Sequence, residues 1–357
     1  MFPQTHPICA VLLAAGEGKR MKSNRPKVLS EVLFKPMLRW VMDAAYTAGI
    51  ANLCVVTGYG RQMVEDYLAQ TCMEGLSWRL ATAVQEQRLG TAHAVQTAGS
   101  FLQEFIHGDV LVLNGDSPFL DPENIQNAWR QHHEQDCAVT VISAEVDDPT
   151  GYGRIVRDPD TRALQKIVEQ KDADPDTLQI REVNSGAYWF RISDLLRVLG
   201  RIGNQNAQQE YYLPDAIRLL LEDGKRAGAF QASSGQAVLG ANDCLQLHRL
   251  NAIARQNILQ RHLQNGVEIP CLDGVILGPD VEIGAHVRIL PGTILSGATQ
   301  IGNACVIGPH TCLHEVQVAD GMELRYVQAR RCSITETLPP FTCIAPPEHR
   351  RHPHPHL

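Results

Sequence analysis

The chain has 357 residues, of which 44% are hydrophobic, 20% charged and 6% aromatic, and its 32 basic against 39 acidic side chains leave a formal net charge of -7. That composition is globular and long enough for two domains with a core each, which excludes a disordered or collagen-like chain. An acidic balance, with a pI near 6.0, also argues against non-specific binding to nucleic acid or to an anionic membrane surface, so any basic site must be local.

The first apolar run, Ile8 to Ala15, reads as a strand. No Lys or Arg precedes it, so it is not a signal peptide, and no run approaches the roughly 18 residues of a membrane-spanning helix. The strand leads into Leu13-Ala14-Ala15-Gly16-Glu17-Gly18-Lys19-Arg20-Met21, followed by Lys22, Arg25, Pro26 and Lys27. Small residues and glycines after a strand let the backbone approach a ligand, and free N–H groups there can cradle phosphate oxygens. Arg20 and Lys27 would add full charges for a polyphosphate. The stretch is not a Walker A loop, lacking its first glycine and the Ser/Thr after Gly-Lys, and Met21 stands where G-x-G-x-x-G needs its third glycine.

Pro36 to Ala48 and Arg61 to Gln70 read as amphipathic helices, and Leu53 to Thr57, Val110 to Leu113 and Ala138 to Ser143 as further strands. Alternating strands and helices predict a mostly parallel sheet covered on both faces, with ligands outside the carboxyl ends of the strands. There Asn114-Gly115-Asp116-Ser117-Pro118 follows the strand that begins near Asp109. Asp116 is suited to holding Mg²⁺, which takes one or two carboxylates plus water and substrate phosphates, and equally suited to capping the turn before Pro118. The ten cysteines show no C-x-x-C pair and no zinc-type spacing, and Cys9, Cys54 and Cys137 sit in strand-like runs. They read as buried free thiols in a reducing cytoplasm.

From Asn242 to Gln264 the pattern becomes one helix, with Leu247, Leu250, Ala254 and Ile258 spaced three or four apart. After Gly266 the sequence repeats in six: Leu277, Ile283, Ile289, Leu295, Ile301, Ile307 and Leu313 recur without a slip. Gly278, Gly284, Gly302 and Gly308 follow four of them, and Val281, Val287, Thr293, Thr299, Cys305 and Thr311 fill the position four after each. A strict period of this kind predicts a solenoid of stacked short strands. In phase beyond Leu313 stand Ala319 and Arg325, so the repeat is expected to fade. From Leu338 the prolines Pro339, Pro340, Pro346, Pro347, Pro353 and Pro355 with His349, His352, His354 and His356 read as an extended, solvated tail rather than a metal site. The predicted segments are residues 1–240, a linker helix 241–265, a hexapeptide stack 266–330 and a Pro/His-rich tail 331–357.

The stretch Leu13 to Met21 with Pro26-Lys27, the run Gln85-Glu86-Gln87-Arg88-Leu89-Gly90-Thr91-Ala92-His93-Ala94 and Asn114-Gly115-Asp116 resemble sugar-1-phosphate nucleotidyltransferases. The segments Asp147 to Ile155, Ile167-Val168-Glu169, Glu182 to Gly186 and Asn206 to Tyr212 narrow the likeness to the bacterial bifunctional N-acetylglucosamine-1-phosphate uridyltransferase/glucosamine-1-phosphate acetyltransferases, over residues 8 to about 315. The resemblance implies an α/β, Rossmann-like (glycosyltransferase-A-like) domain, a linker helix and a short left-handed parallel β-helix. It implies transfer of UMP from UTP to N-acetylglucosamine-1-phosphate with pyrophosphate leaving, for cell-wall precursor synthesis. Leu13, Ala14, Ala15 and Gly16 would line the nucleotide, and Gln85, Gly90 and Thr91 would read the uracil. Arg20 and Lys27 match the phosphate-binding pair, and Asp116 with Asn242 the Mg²⁺ ligands. Gly115, Gly153, Glu169 and Asn184 complete the substrate site.

Three positions depart from the family: Lys19 stands where a small hydroxyl residue is usual, Asn114 replaces an aromatic, and Asp243 follows Asn242 where an amide is common. Lys19 is expected to add a cation beside the triphosphate, and Asp243 a carboxylate close to the metal. Since acetyl transfer needs later coils of a long helix, the fading repeat implies that it is absent, while resemblance suggests a trimer. Competing expectations are another sugar phosphate such as glucose-1-phosphate, a catalytically silent regulator, and a sugar acyltransferase. The kept set of Arg20, Lys27, Asp116 and Asn242 argues against the silent regulator.

Overall fold

Strand β1, Ile8–Ala14, is apolar at every position because both of its faces are covered. Cys9 and Val11 enter one core cluster, Ala10, Leu12 and Ala14 another, and all five are fully buried. The computed structural model in which this is seen describes residues 2, 6–72 and 78–344. Pro346, Pro347, Pro353, Pro355 and the four tail histidines lie outside them. The chain divides into two compact units, Met1–Ser30 with Pro36–Leu247, and Glu31–Lys35 with His248–Leu357.

The first unit is built on a nine-stranded sheet. Its strands after β1 are β2 (Asn52–Thr57), β3 (Arg79–Val84), β4 (Asp109–Asn114), β5 (Val139–Glu145), β6 (Arg154–Arg157), β7 (Leu164–Val168), β8 (Glu182–Arg191) and β9 (Ala227–Gln231). Their order is β9-β5-β8-β4-β1-β2-β3, with the β6–β7 hairpin joined to β8. All the strands in that row run parallel except β8, which lies antiparallel between β4 and β5. Between Asn184 and Ala187 the β8 register shifts in a bulge, where Gly186 takes a φ of +77°.

Helix Met37–Thr47 turns Met37, Leu38, Val41, Met42 and Ala45 into the core, the spacing of one helical face. Helix Pro122–Glu134 starts at Asp121, whose carboxylate accepts the Asn124 N–H at 2.8 Å, and it opens on a proline. It packs over Trp189, fully buried, whose indole N–H donates to the Ile125 carbonyl at 3.0 Å. All four tryptophans, Trp40, Trp78, Trp129 and Trp189, belong to this unit.

Helix Cys244–Gln264 leads to the short strands of the second unit. These pair in parallel with partners a constant distance along the chain: Ile276 with Ile294, Ile294 with Cys312, Glu282 with Gln300, Arg288 with Val306, each 18 residues on. The aliphatics Leu277, Ile289, Leu295, Ile307 and Leu313 are fully buried. The threonines tolerate burial because their hydroxyls bond turn carbonyls, Thr293 to Leu290 and Thr299 to Ser296, both at 2.7 Å. The repeat does not fade after Leu313. It shortens, so that Gln300 pairs with Gln317, Cys312 with Gln328 and Gln328 with Cys343. The inward positions become Val318, Leu324, Ala329 and Ile334, all buried. Parallel pairing therefore runs past the expected boundary at 330 as far as Ile344. A residue dropped at a corner moves the inward position without breaking the stack, which a strict count of six cannot follow.

Among the described residues no helix is long and apolar enough to cross a membrane.

Candidate active site

The carboxyl ends of β1 and β4 open into two adjoining cavities of about 320 and about 370 Å³ that share Leu13, Thr91, Asn114 and Asp116. Strand alternation decides which residues reach them. Leu13 and Ala15 line the walls, whereas Ala14 faces the opposite core cluster. Gly115 is not on a wall either; its N–H donates to the Leu13 carbonyl at 3.0 Å, and a Cβ there would stand 3.0 Å from that oxygen. It joins the two strand ends.

The smaller cavity gathers Ala15, Gly16, Lys27, Gln85, Arg88, Gly90 and Thr91. Gln85 is buried, and its side-chain N–H group donates to the Gly90 carbonyl at 3.0 Å and lies 3.1 Å from His93 Nδ1. No hydrogen bond to its Oε1 is seen among the described residues. Gly90 holds a φ of +118°, and a Cβ there would come 2.5 Å from the Tyr211 carbonyl oxygen, so only glycine fits. The Thr91 hydroxyl accepts the Leu213 N–H at 3.0 Å, which fixes this loop to the segment 211–213. At Gly18, with φ +63°, a Cβ would stand 2.7 Å from Lys27 Cβ, so the glycine lets the lysine stem pass toward Asp116.

Arg20, Gly153, Glu169, Asn184 and Asn242 line the larger cavity. A Cβ on Gly153 would meet Glu169 Oε1 at 2.9 Å, so the missing side chain is what leaves room for the carboxylate. Burial, with Asp172 and Asp215 nearby, raises the Glu169 pKa above the usual carboxylate value against the opposing charge of Arg154. The Asn184 side-chain amide donates to the Tyr188 hydroxyl at 2.7 Å, and its Oδ1 accepts the Gly186 N–H at 2.9 Å. The bulge in β8 thereby aims Asn184 at the cavity.

At the junction, the Lys27 ammonium forms an ion pair with Asp116 and donates to Asn242 Oδ1 at 2.9 Å. A carboxylate and a carboxamide oxygen converge on one cation. Asp243 does not join them: its carboxylate accepts the Gln246 N–H at 2.8 Å, capping helix Cys244–Gln264, while Gln246 Oε1 accepts the Asn242 N–H at 2.7 Å. Lys19 is mostly exposed and 3.7 Å from Glu17, which also pairs with Arg88 at 2.7 Å. Gln246 and Tyr188 both line the larger cavity and were not anticipated. The D-x-x-Q spacing of a capping box could have flagged Gln246, but Tyr188 on an apolar strand carries no such signal.

The nucleotidyl transferase family model matches residues 9–236, which hold both cavities apart from Val238, Gly240, Asn242 and Gln246. The chain belongs to the nucleotidyl transferase family. It is 39% identical over 341 residues to the bifunctional protein GlmU of Caldanaerobacter subterraneus subsp. tengcongensis, covering 95% of this chain and 72% of that one. It is 41% identical over 314 residues to the bifunctional protein GlmU of Symbiobacterium thermophilum, covering 88% and 65%. Within the family it groups with these GlmU proteins and is a sugar-1-phosphate uridylyltransferase. A putative glucose-1-phosphate thymidylyltransferase of Bacillus anthracis shares the fold, with a TM-score of 0.57 at 19% identity, over 70% of this chain and 96% of that one.

Proposed function

We propose that the chain transfers UMP from UTP to N-acetylglucosamine-1-phosphate and releases pyrophosphate, as a cytoplasmic step toward cell-wall precursors. The observation that carries the reading is the pair of joined cavities meeting at Asp116. One would present Lys27, Arg88 and Gln85 to a nucleotide, the other Arg20, uncharged donors and the Glu169 acid to a sugar phosphate. Gln85 Oε1 would accept the imide N–H of uracil, and Glu169 would accept sugar hydroxyl donors. Lys27 and Arg20 would neutralise the phosphates as the sugar-phosphate oxygen attacks the α-phosphorus in line. No protein nucleophile is needed, so catalysis rests on positioning and charge.

Asp116 and Asn242 fit Mg²⁺, because two hard oxygen donors already converge on the Lys27 ammonium. When bound, Mg²⁺ would supply charge neutralisation to the substrate phosphates. The second unit is read as a left-handed parallel β-helix that supports a trimer. Acetyl transfer is read as absent only on the resemblance, which places it in later coils of a long helix.

Pyrophosphate release from UTP and Mg²⁺ tests the proposal, with N-acetylglucosamine-1-phosphate, glucosamine-1-phosphate and glucose-1-phosphate in parallel. Rapid release with the first alone is expected. Release with glucose-1-phosphate instead would move the specificity, and silence with all three would leave the silent-regulator reading.

A further inference from the structure

A second cluster stands at the opposite ends of the same strands. Asp109 opens β4 five residues before Asn114, so at about 3.3 Å per residue it lies about 17 Å from the cavity end. Its side chain is 2% exposed, yet Oδ2 faces three nitrogens: His6 Nε2 at 2.9 Å, Trp129 Nε1 at 3.0 Å and His133 Nε2 at 2.5 Å. The ligand atoms of His6, Asp109 and His133 all lie within 4.8 Å of one another. An independent observation points the same way. The His132 side chain is 1% exposed, its Nδ1 lies 2.9 Å from Thr140 Oγ1, and its Nε2, without a hydrogen-bond partner, sits 3.9 Å from Asp109 Oδ1.

We propose that His6, Asp109 and His133 bind one divalent transition-metal ion of the Zn²⁺ class through His6 Nε2, His133 Nε2 and Asp109 Oδ2, with His132 Nε2 beside the other carboxylate oxygen. Two imidazoles and a carboxylate suit Zn²⁺ or Co²⁺ and not the hard, water-rich shell of Mg²⁺. Ligands about 2.1 Å from a tetrahedral ion stand about 3.4 Å apart, so small side-chain shifts close the site. His6 and His133, 28% and 37% exposed, form the entrance, and Asp109 the floor. The Trp129 N–H stays on the carboxylate as an outer hydrogen bond that orients it, and Trp129 packs against both rings, 6.1 Å from His6 and 4.2 Å from His133. The ion would clamp the segment before β1 to helix Pro122–Glu134. Its role is structural, remote from the transfer site.

The test uses the full chain with His349, His352, His354 and His356 changed to Ala, so that a tail-bound ion is not counted. The metal-stripped protein is titrated with Co²⁺, then Zn²⁺, in the presence of millimolar Mg²⁺. One equivalent of Co²⁺ with visible ligand-field bands is expected, displaced by Zn²⁺, and the melting temperature rises with Zn²⁺. In His6→Ala and His133→Ala, both at partly exposed positions, affinity falls about 100-fold or more and the melting shift disappears. No binding at micromolar metal would mean a hydrogen-bonded histidine network only. That result, or binding unchanged in both variants, overturns the proposal.

Discussion

Lys27 holds together the two oxygens that read as metal ligands while reaching into the smaller cavity, so it has more to lose than a surface cation. Replacing Lys27 or Arg20 with Ala should lower kcat by roughly 10²- to 10³-fold if their charge acts chiefly in the transition state, measured by pyrophosphate release. Asp116→Asn should mainly raise the Mg²⁺ concentration needed for half-maximal rate. Glu169 yields a pH signature. Its raised pKa means that the ionised acceptor is lost as pH falls through that value, so the KM for sugar phosphate should climb toward acid and stay flat above. Glu169→Gln should abolish that limb and leave the KM for UTP unchanged, as read by steady-state kinetics from about pH 5 to about pH 8. At this scale the sequence makes Arg20, Lys27 and Asp116 legible because each follows a recognisable strand end. It does not mark which of Leu13, Ala14 and Ala15 turns its side chain to the cavity, because every position of the run is apolar. Asp243 was expected near the metal, but a cap competes for its carboxylate, and only the start of the helix reveals it.

Among the elements, the Gly90 loop shows how a backbone shapes the smaller cavity. Gly90→Ala would force a side chain to a φ of +118° against the immovable Tyr211 backbone, costing about 1 to 3 kcal/mol for the strained conformation alone. Urea denaturation should show that loss, and the KM for UTP should rise because Thr91 and Gln85 share the loop. The strands expected over Ile8 to Ala15 and Leu53 to Thr57 form as Ile8–Ala14 and Asn52–Thr57, since β-branched and aliphatic runs buried on both faces read clearly. The later coils did not read. Their inward residue is chosen by the sheet below it, not by a count, and one omitted corner residue shifts Val318 and Leu324 out of the six-residue phase.

The whole molecule consists of an α/β unit and a stack of parallel strands, each with its own buried residues. Leu313→Ala should therefore destabilise the stack by about 2 to 5 kcal/mol, since Leu313 is fully buried and pairs with Leu295 on one side and Ala329 on the other. Thermal melting by circular dichroism would show it, and kcat for uridylyl transfer at 25 °C should be unchanged. A change of period at Gly266 is legible in the sequence, whereas the compact units divide between Leu247 and His248 and Glu31–Lys35 belong to the second. The continuation to Ile344 was not legible, because prolines in that region suggested an extended tail. The distribution of tryptophan supplies a built-in optical separation. Trp40, Trp78, Trp129 and Trp189 all sit in the α/β unit, with Trp189 shielded from water, whereas the stack has Tyr326 and no indole. Indole emission therefore reports melting of the transferase unit alone, and in Leu313→Ala the fluorescence transition should stay in place while the dichroism transition moves.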